Sequence, residues 1–109
     1  LLREALEAEG RRILSKIAAD SFVVALCIEG KLQSSEELAR MLDRAAVSGK
    51  SDVIFVIGGS FGLSQAVKER ADRRMSMSRM TFPHQLARVM LLEQLFRAAK
   101  INAGERYHK

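Results

Sequence analysis

The chain has 109 residues, of which 48% are hydrophobic and 28% are charged, and this is the length and balance of one small globular domain. These values exclude a disordered acidic tail, a collagen-like chain and a low-complexity linker. The longest unbroken apolar run, Phe22 to Ile28, has seven residues, whereas a membrane-spanning helix needs about 20. With one cysteine and no signal-peptide pattern, we expect a reduced, cytoplasmic protein.

The net charge of +5 is unevenly distributed along the chain. Residues 1–67 carry 8 Lys and Arg against 9 Asp and Glu, and residues 68–109 carry 10 against 4. The positive excess therefore lies in the C-terminal two-fifths. Such a region favours a polyanionic partner, most commonly nucleic acid, although a solvated helix face produces the same pattern.

The N-terminal half predicts two helices, each followed by a strand. An apolar stripe typical of an amphipathic helix runs along the first segment through Leu2, Leu6, Ile13 and Ile17. Gly10 interrupts this stripe and weakens the predicted helix.

Two apolar runs in this half predict strands that are buried on both faces. Phe22 to Ile28 and Val53 to Ile57 are apolar without alternation, as parallel strands in a covered sheet are. Gly30-Lys31 is expected to end the first strand. Ser34 and Glu37 have the spacing of a capping box, which opens the second helix.

The C-terminal half predicts a short helix and a long one. Ser64 can cap the short helix, and residues 73–80 fit either a short strand or a loop. Pro83 stands where the first turn of a helix tolerates it, and the long helix that follows has a wide apolar surface. Such a surface indicates burial against the domain and against a second subunit. Alternating helices and doubly buried strands predict an α/β fold with a parallel sheet.

The glycine-rich turn Gly58-Gly59-Ser60-Phe61-Gly62 follows a predicted strand and precedes a helix. Ligands of α/β proteins bind at such strand ends. The spacing matches neither a Walker loop nor the dinucleotide-binding fingerprint, so a ligand loop and a simple tight turn both remain open. Cys27 lies inside a predicted strand and is interpreted as a core residue. The two histidines and one cysteine do not have the spacing of metal ligands, and we expect no metal.

Four stretches in this order resemble one family. They are residues 51–62 (SDVIFVIGGSFG), 76–85 (SMSRMTFPHQ), 93–98 (EQLFRA) and the closing residues 107–109 (YHK). Together they are similar to the RlmH family of SPOUT-class enzymes, which methylate N3 of a pseudouridine in large-subunit ribosomal RNA. The likeness covers essentially the whole chain.

The resemblance implies a single SPOUT methyltransferase domain over residues 1–109, with a parallel sheet and a deep C-terminal trefoil knot. It also implies an obligate homodimer, an assembled ribosome as the partner, and S-adenosylmethionine as the cofactor. The family's cofactor contacts fall on Leu26, Gly58, Met77, Ser78, Arg79, Met80, Thr81 and Phe82.

The sequence leaves the catalytic residues open. His84, Tyr107 and His108 are candidates for orienting the target base or accepting its proton, and the proton could equally leave to water. Candidates for neutralising RNA phosphates are Arg73, Arg74, Arg79, Arg88, Arg106 and Lys109.

RlmH chains begin with a further strand, helix and strand, which this sequence does not show before its first predicted helix. We therefore expect an N-terminally truncated domain. This difference keeps a second hypothesis open, a non-catalytic fragment or RNA-binding module that keeps the fold without the activity.

Overall fold

The apolar run that begins at Phe22 forms the central strand of a three-stranded parallel sheet in a computed structural model. The structure describes residues 1–50, 52–59 and 61–105. In chain order the elements are α1 (Leu2–Ser15), β1 (Phe22–Leu32), α2 (Ser35–Val47), β2 (Val53–Ile57), α3 (Gln65–Arg70), β3 (Arg73–Ser76) and α4 (His84–Asn102). The strand order is β2-β1-β3, which confirms the predicted α/β class.

The first part of β1 is buried on both faces, as predicted. Val23, Val24 and Ala25 are all fully buried, and each such valine side chain stabilises the fold by about 1.5–3 kcal/mol relative to an exposed one. The second part differs from the prediction. Ile28 is 56% exposed, and the strand continues past Gly30 to Leu32 instead of ending there.

The two parts of β1 both pair with β3. Leu26 and Lys31 are each a register partner of Met75, and the register shifts between them. Because a strand residue has one neighbour on each edge, this pattern places the two parts of β1 on opposite edges of β3. A Cβ built on Gly30 would lie 2.7 Å from backbone atoms of Met75. The connecting segment therefore passes directly against the β3 backbone, at a distance that only glycine permits.

Two hydrophobic clusters cover the two faces of the sheet. Val24 and Met75 belong to the cluster that includes buried residues of α2 and α4, such as Leu38 and Leu91. Val23 belongs to the opposite cluster, on the side of α1 and α3. Adjacent strand residues alternate between faces, so β1 contributes to both clusters.

Side-chain caps begin two of the helices, as predicted. Ser34 Oγ accepts a hydrogen bond from Glu37 N at 3.0 Å, and Glu37 Oε1 accepts one from Ser34 N at 2.8 Å. Ser64 Oγ accepts one from Val67 N at 3.3 Å at the start of α3. Gly10 is buried against this cap, because a Cβ there would lie 2.3 Å from Ser64 Oγ. The glycine that weakens α1 thus lets it approach α3.

The ambiguous segment 73–80 resolves into the short strand β3 followed by a loop. Pro83 is the N-cap of α4 and not its first helical residue. Along α4, Arg97 Nη2 and Glu93 Oε2 are 2.7 Å apart and form an ion pair between residues four positions apart. Within the described ranges, no helix has both the length and the hydropathy that crossing a membrane requires.

Candidate functional site

A cavity of about 410 Å³ lies beside the middle of β1, where regular pairing of that strand breaks off after Leu26, at the end of β2 and where the chain leaves β3. Its walls include Leu26, Gly58 and Met77, which come from three separate stretches of the sequence. Parallel strands bring their carboxyl ends to one edge of a sheet, and α/β proteins bind ligands at that edge. We call this space the strand-end cavity.

Seven of the eight residues that the family resemblance assigns to the cofactor line the strand-end cavity. They are Leu26, Gly58, Met77, Ser78, Met80, Thr81 and Phe82. Arg79, the eighth, is exposed and is not among the lining residues. The structure therefore brings together residues that are up to 56 positions apart in the sequence.

The glycine turn after β2 forms a thin wall of this cavity. Gly59 and Gly62 form an antiparallel bridge, and Gly62 has a φ of 84°, which favours glycine. A Cβ on Gly58 would lie 2.7 Å from Gly62 C. A side chain at position 58 would therefore force the turn apart.

The loop of residues 77–82 is held in shape by two serines. Ser76 Oγ donates to Ser78 O at 2.8 Å, and Met80 N donates to Ser78 Oγ at 3.0 Å. Outside the helices and strands of the described residues, no backbone–backbone hydrogen bond involves this loop. Its other amide and carbonyl groups can therefore serve a ligand in the cavity.

Charged residues stand at one side of the strand-end cavity. Lys68 of α3 forms an ion pair with Glu29, and both residues line the cavity. The hydrogen bond from Lys68 lowers the pKa of the Glu29 carboxyl. Burial raises the pKa of the nearby Cys27 thiol, and the negative charge of Glu29 adds to that rise.

The sequence does not predict that Glu29, Lys68 and Cys27 line a cavity. Cys27 was expected in the core, but it is only partly buried and lines the cavity. Cys27 and Glu29 lie in the part of β1 that leaves regular pairing after Leu26, whereas Lys68 comes from α3. The signal was Gly30, which marks a close backbone approach rather than the end of a strand.

Of the catalytic candidates, His84 lines the strand-end cavity at the first residue of α4. Tyr107 and His108 lie outside the described residues. Among the phosphate candidates, Arg73, Arg74 and Arg88 are exposed, and Arg74 Nε also donates to Lys68 O at 3.2 Å. Arg106 and Lys109 lie outside the described residues.

A second cavity of about 510 Å³ lies between α2, β3 and α4. Ser35 Oγ donates to Gln94 Oε1 at its edge, at 2.5 Å. Gln33 also lines it, and its Oε1 is buried without a hydrogen-bond partner among the described residues. This cavity holds none of the assigned cofactor residues except Met77.

Three curated relatives show how similar the chain is to known proteins. Proteins named "Ribosomal RNA large subunit methyltransferase H" from Bacillus pumilus, Bacillus thuringiensis (strain Al Hakam) and Bacillus anthracis are each 60% identical to it over 103 residues. These alignments cover 94% of this chain and 65% of each relative. The chain thus spans just under two thirds of the length of these relatives.

A family model described as "Predicted SPOUT methyltransferase" matches residues 2–108, which is nearly the full sequence. The three-stranded parallel sheet and its surrounding helices are consistent with that fold. The chain belongs to the SPOUT methyltransferase family.

Proposed function

We propose that this chain is the cofactor-binding domain of a methyltransferase that uses S-adenosylmethionine to methylate N3 of a pseudouridine in large-subunit ribosomal RNA. The observation that carries the proposal is the strand-end cavity, which gathers seven of the eight assigned cofactor residues. The names of the curated relatives support ribosomal RNA as the substrate. Such an enzyme would meet assembled ribosomes in the cytoplasm.

The residues present suit this cofactor. The cavity volume of about 410 Å³ falls within the range of roughly 300–1,000 Å³ found for small-molecule sites. Apolar side chains such as Leu26 and Phe82 can enclose an adenine ring, while the amides and carbonyls of the 77–82 loop can bind its polar edge. The glycine wall at Gly58 lets a ligand approach the backbone closely.

When bound, S-adenosylmethionine would supply a methyl group carried on a positively charged sulfur. The task of the protein is to hold the base nitrogen in line with that methyl group and to exclude competing water, so positioning is the main source of rate. The base nitrogen must also give up its proton. His84 is the one catalytic candidate among the described residues, it lines the cavity, and it could orient the base or take that proton.

The proposal includes the trefoil knot. Its support is the segment between Leu26 and Lys31, which passes from one edge of β3 to the other. The Gly30 backbone lies tight against Met75 at this crossing. Leu26, one of the assigned cofactor residues, lies directly before this crossing. The segment that would form the knot therefore also contributes to the cavity.

The proposal also includes a homodimer formed through α4. Val89, Leu92 and Phe96 are 62%, 56% and 53% exposed, and their spacing of three and four residues places them on one side of the helix. The other side of α4 is buried in the domain through Leu91 and Ala98. A helix with two apolar sides indicates a second packing partner.

Methyl transfer to ribosomes tests this proposal. Large ribosomal subunits that lack the modification are incubated with the protein and with S-adenosylmethionine labelled in its methyl group. We expect label in ribosomal RNA, recovered after digestion as 3-methylpseudouridine.

Absence of transfer by a folded, dimeric protein would contradict the proposal, as would label in another nucleoside. Salt-sensitive RNA binding without any binding of S-adenosylmethionine would instead support the non-catalytic RNA-binding module.

A further inference from the structure

An open groove of about 660 Å³, separate from both cavities described above, lies beside α2, on the side where β1 and β3 begin. It shares no lining residue with the strand-end cavity. We call it the basic groove, and its lining residues with charged or aromatic side chains are Phe22, Lys31, Glu37, Arg40, Arg44 and Arg73. Three elements contribute to it, so it is a feature of the fold and not of one helix face.

Four cations line the basic groove against a single carboxylate. Lys31, Arg40, Arg44 and Arg73 are all exposed. The carboxylate, Glu37, is engaged in the capping box with Ser34. Its pKa is lowered, first by the hydrogen bond from the Ser34 backbone and also by the charges of Lys31 and Arg40. Glu37 is therefore ionised at neutral pH, and four cations against this one carboxylate leave the groove with an excess of positive charge.

None of these four cations forms an ion pair within the described part of the chain. The pairs found there are Lys68 with Glu29, Arg70 with Asp72, Arg97 with Glu93, and Lys100 with Glu105. Among the described residues, cations are thus paired elsewhere, whereas this groove keeps an uncompensated excess of positive charge. Uncompensated cations around a concave surface are the electrostatic signature of a polyanion site.

An aromatic ring forms part of the groove wall. Phe22 is partly buried and belongs to the edge of the hydrophobic core, which fixes its ring. The Arg73 guanidinium lies 5.6 Å from the centroid of that ring, within the range of a cation–π contact. A planar cation held on an aromatic face offers both a phosphate ligand and a stacking surface for a base.

We infer that the basic groove is a docking site for the phosphate backbone of the RNA substrate, separate from the cavity where methyl transfer would occur. This inference rests on the proposed function, since it assigns how that same substrate is held. Lys31, Arg40 and Arg44 come from the half of the chain whose net charge is negative. The fold brings them into one groove with Arg73, which belongs to the basic C-terminal part of the chain.

Alanine variants of two groove arginines test this inference. Arg40→Ala/Arg44→Ala is compared with Arg3→Ala/Arg11→Ala, which removes the same charge from exposed positions on α1. Binding to a transcript of large-subunit ribosomal RNA is measured by fluorescence anisotropy between about 50 and 200 mM salt, a range over which phosphate contacts weaken steeply. Thermal melting verifies that both proteins are folded.

We expect the groove variant to bind at least fivefold more weakly at the lowest salt. The slope of log K against log salt should also fall by about 1 for each phosphate contact removed, and so by about 2. The α1 variant should bind within twofold of the unchanged protein. Equal losses in the two variants, or no loss in the groove variant, would overturn the inference, as would absence of RNA binding by the unchanged protein.

Calorimetry with S-adenosylmethionine on the same proteins separates this inference from the proposed function. The groove variant should bind S-adenosylmethionine as the unchanged protein does, because the groove and the strand-end cavity share no residue. If no protein binds S-adenosylmethionine while only the groove variant loses RNA affinity, the proposed methyltransferase activity fails and the RNA-docking groove stands.

Discussion

Cys27, the single cysteine of the chain, is a natural reporter of the strand-end cavity. It lines the cavity directly after Leu26, and burial raises the pKa of its thiol. Because the thiolate is the reactive form, alkylation should be slow at neutral pH. The rate should rise with pH up to the raised pKa, where the thiolate becomes the major form.

Bound S-adenosylmethionine should therefore protect Cys27 from iodoacetamide. The expected result, followed by mass spectrometry, is an alkylation rate that falls by at least fivefold at a saturating concentration of the cofactor. ATP, which shares the adenosine but not the methionine part, serves as the control ligand. An alkylation rate that saturating S-adenosylmethionine leaves unchanged would remove Cys27 from the cofactor site.

Site residues that belong to a family motif could be predicted from the sequence. Site residues that only the folding of the chain brings to the cavity could not. Gly58 and Met77 follow from the family motifs, but Lys68 lies on a short helix whose sequence has no ligand signal. Arg79 lies within a matching motif, yet it is exposed and outside the cavity lining. The other five residues of the 77–82 loop line the cavity, and a motif read along the sequence does not show which single residue of such a loop faces solvent.

At the scale of elements, the crossing of β3 by β1 is the feature that sequence patterns misjudged. Gly30 looks like a strand terminator because glycine is common in turns. In the structure it is needed inside the strand, since any Cβ would meet the backbone of Met75 at 2.7 Å. The capping box and the long helix were predictable because they depend on residues within a few positions of each other, whereas the crossing depends on the contact of Gly30 with Met75, 45 positions away.

Gly30→Ala should consequently destabilise the protein. Crowding a backbone that has no room to move costs about 1–3 kcal/mol, and the effect should appear as a lower midpoint in urea unfolding. Gly59→Ala is the matched control, because a Cβ at Gly59 meets no atom within 4 Å. Equal midpoints for Gly30→Ala and the unchanged protein would show that the two strands do not cross so closely.

At the scale of the whole molecule, the charge asymmetry of the sequence does not describe the surface. The C-terminal two-fifths holds the positive excess, yet the basic groove takes three of its four cations from the N-terminal part. Composition counts residues along the chain, whereas potential depends on which of them share a surface. The wide apolar surface of α4 was predictable from helical spacing. Both apolar sides belong to one continuous helix, so the order of residues along the chain determines which of them share a side.

The exposed apolar side of α4 predicts that the molecule forms a dimer in solution. Val89→Asp should convert a dimer into a monomer, because a charge buried at an interface without a partner costs several kcal/mol. Sedimentation equilibrium measures the change. Val47→Asp is the control, since Val47 is 81% exposed on α2 and lies outside the α4 surface. An unchanged oligomeric state in Val89→Asp would place the interface elsewhere.

Titration calorimetry with S-adenosylmethionine tests the strand-end cavity as the cofactor site most directly, using two glycine-to-alanine variants. Gly58→Ala would push a methyl group against Gly62 in the cavity wall, whereas Gly10→Ala crowds Ser64 outside the cavity. Both changes should lower the melting temperature. We expect saturable binding to the unchanged protein, binding at least tenfold weaker to folded Gly58→Ala, and nearly unchanged binding to folded Gly10→Ala. No binding to the unchanged protein, or equal affinities for the two variants, would contradict the assignment.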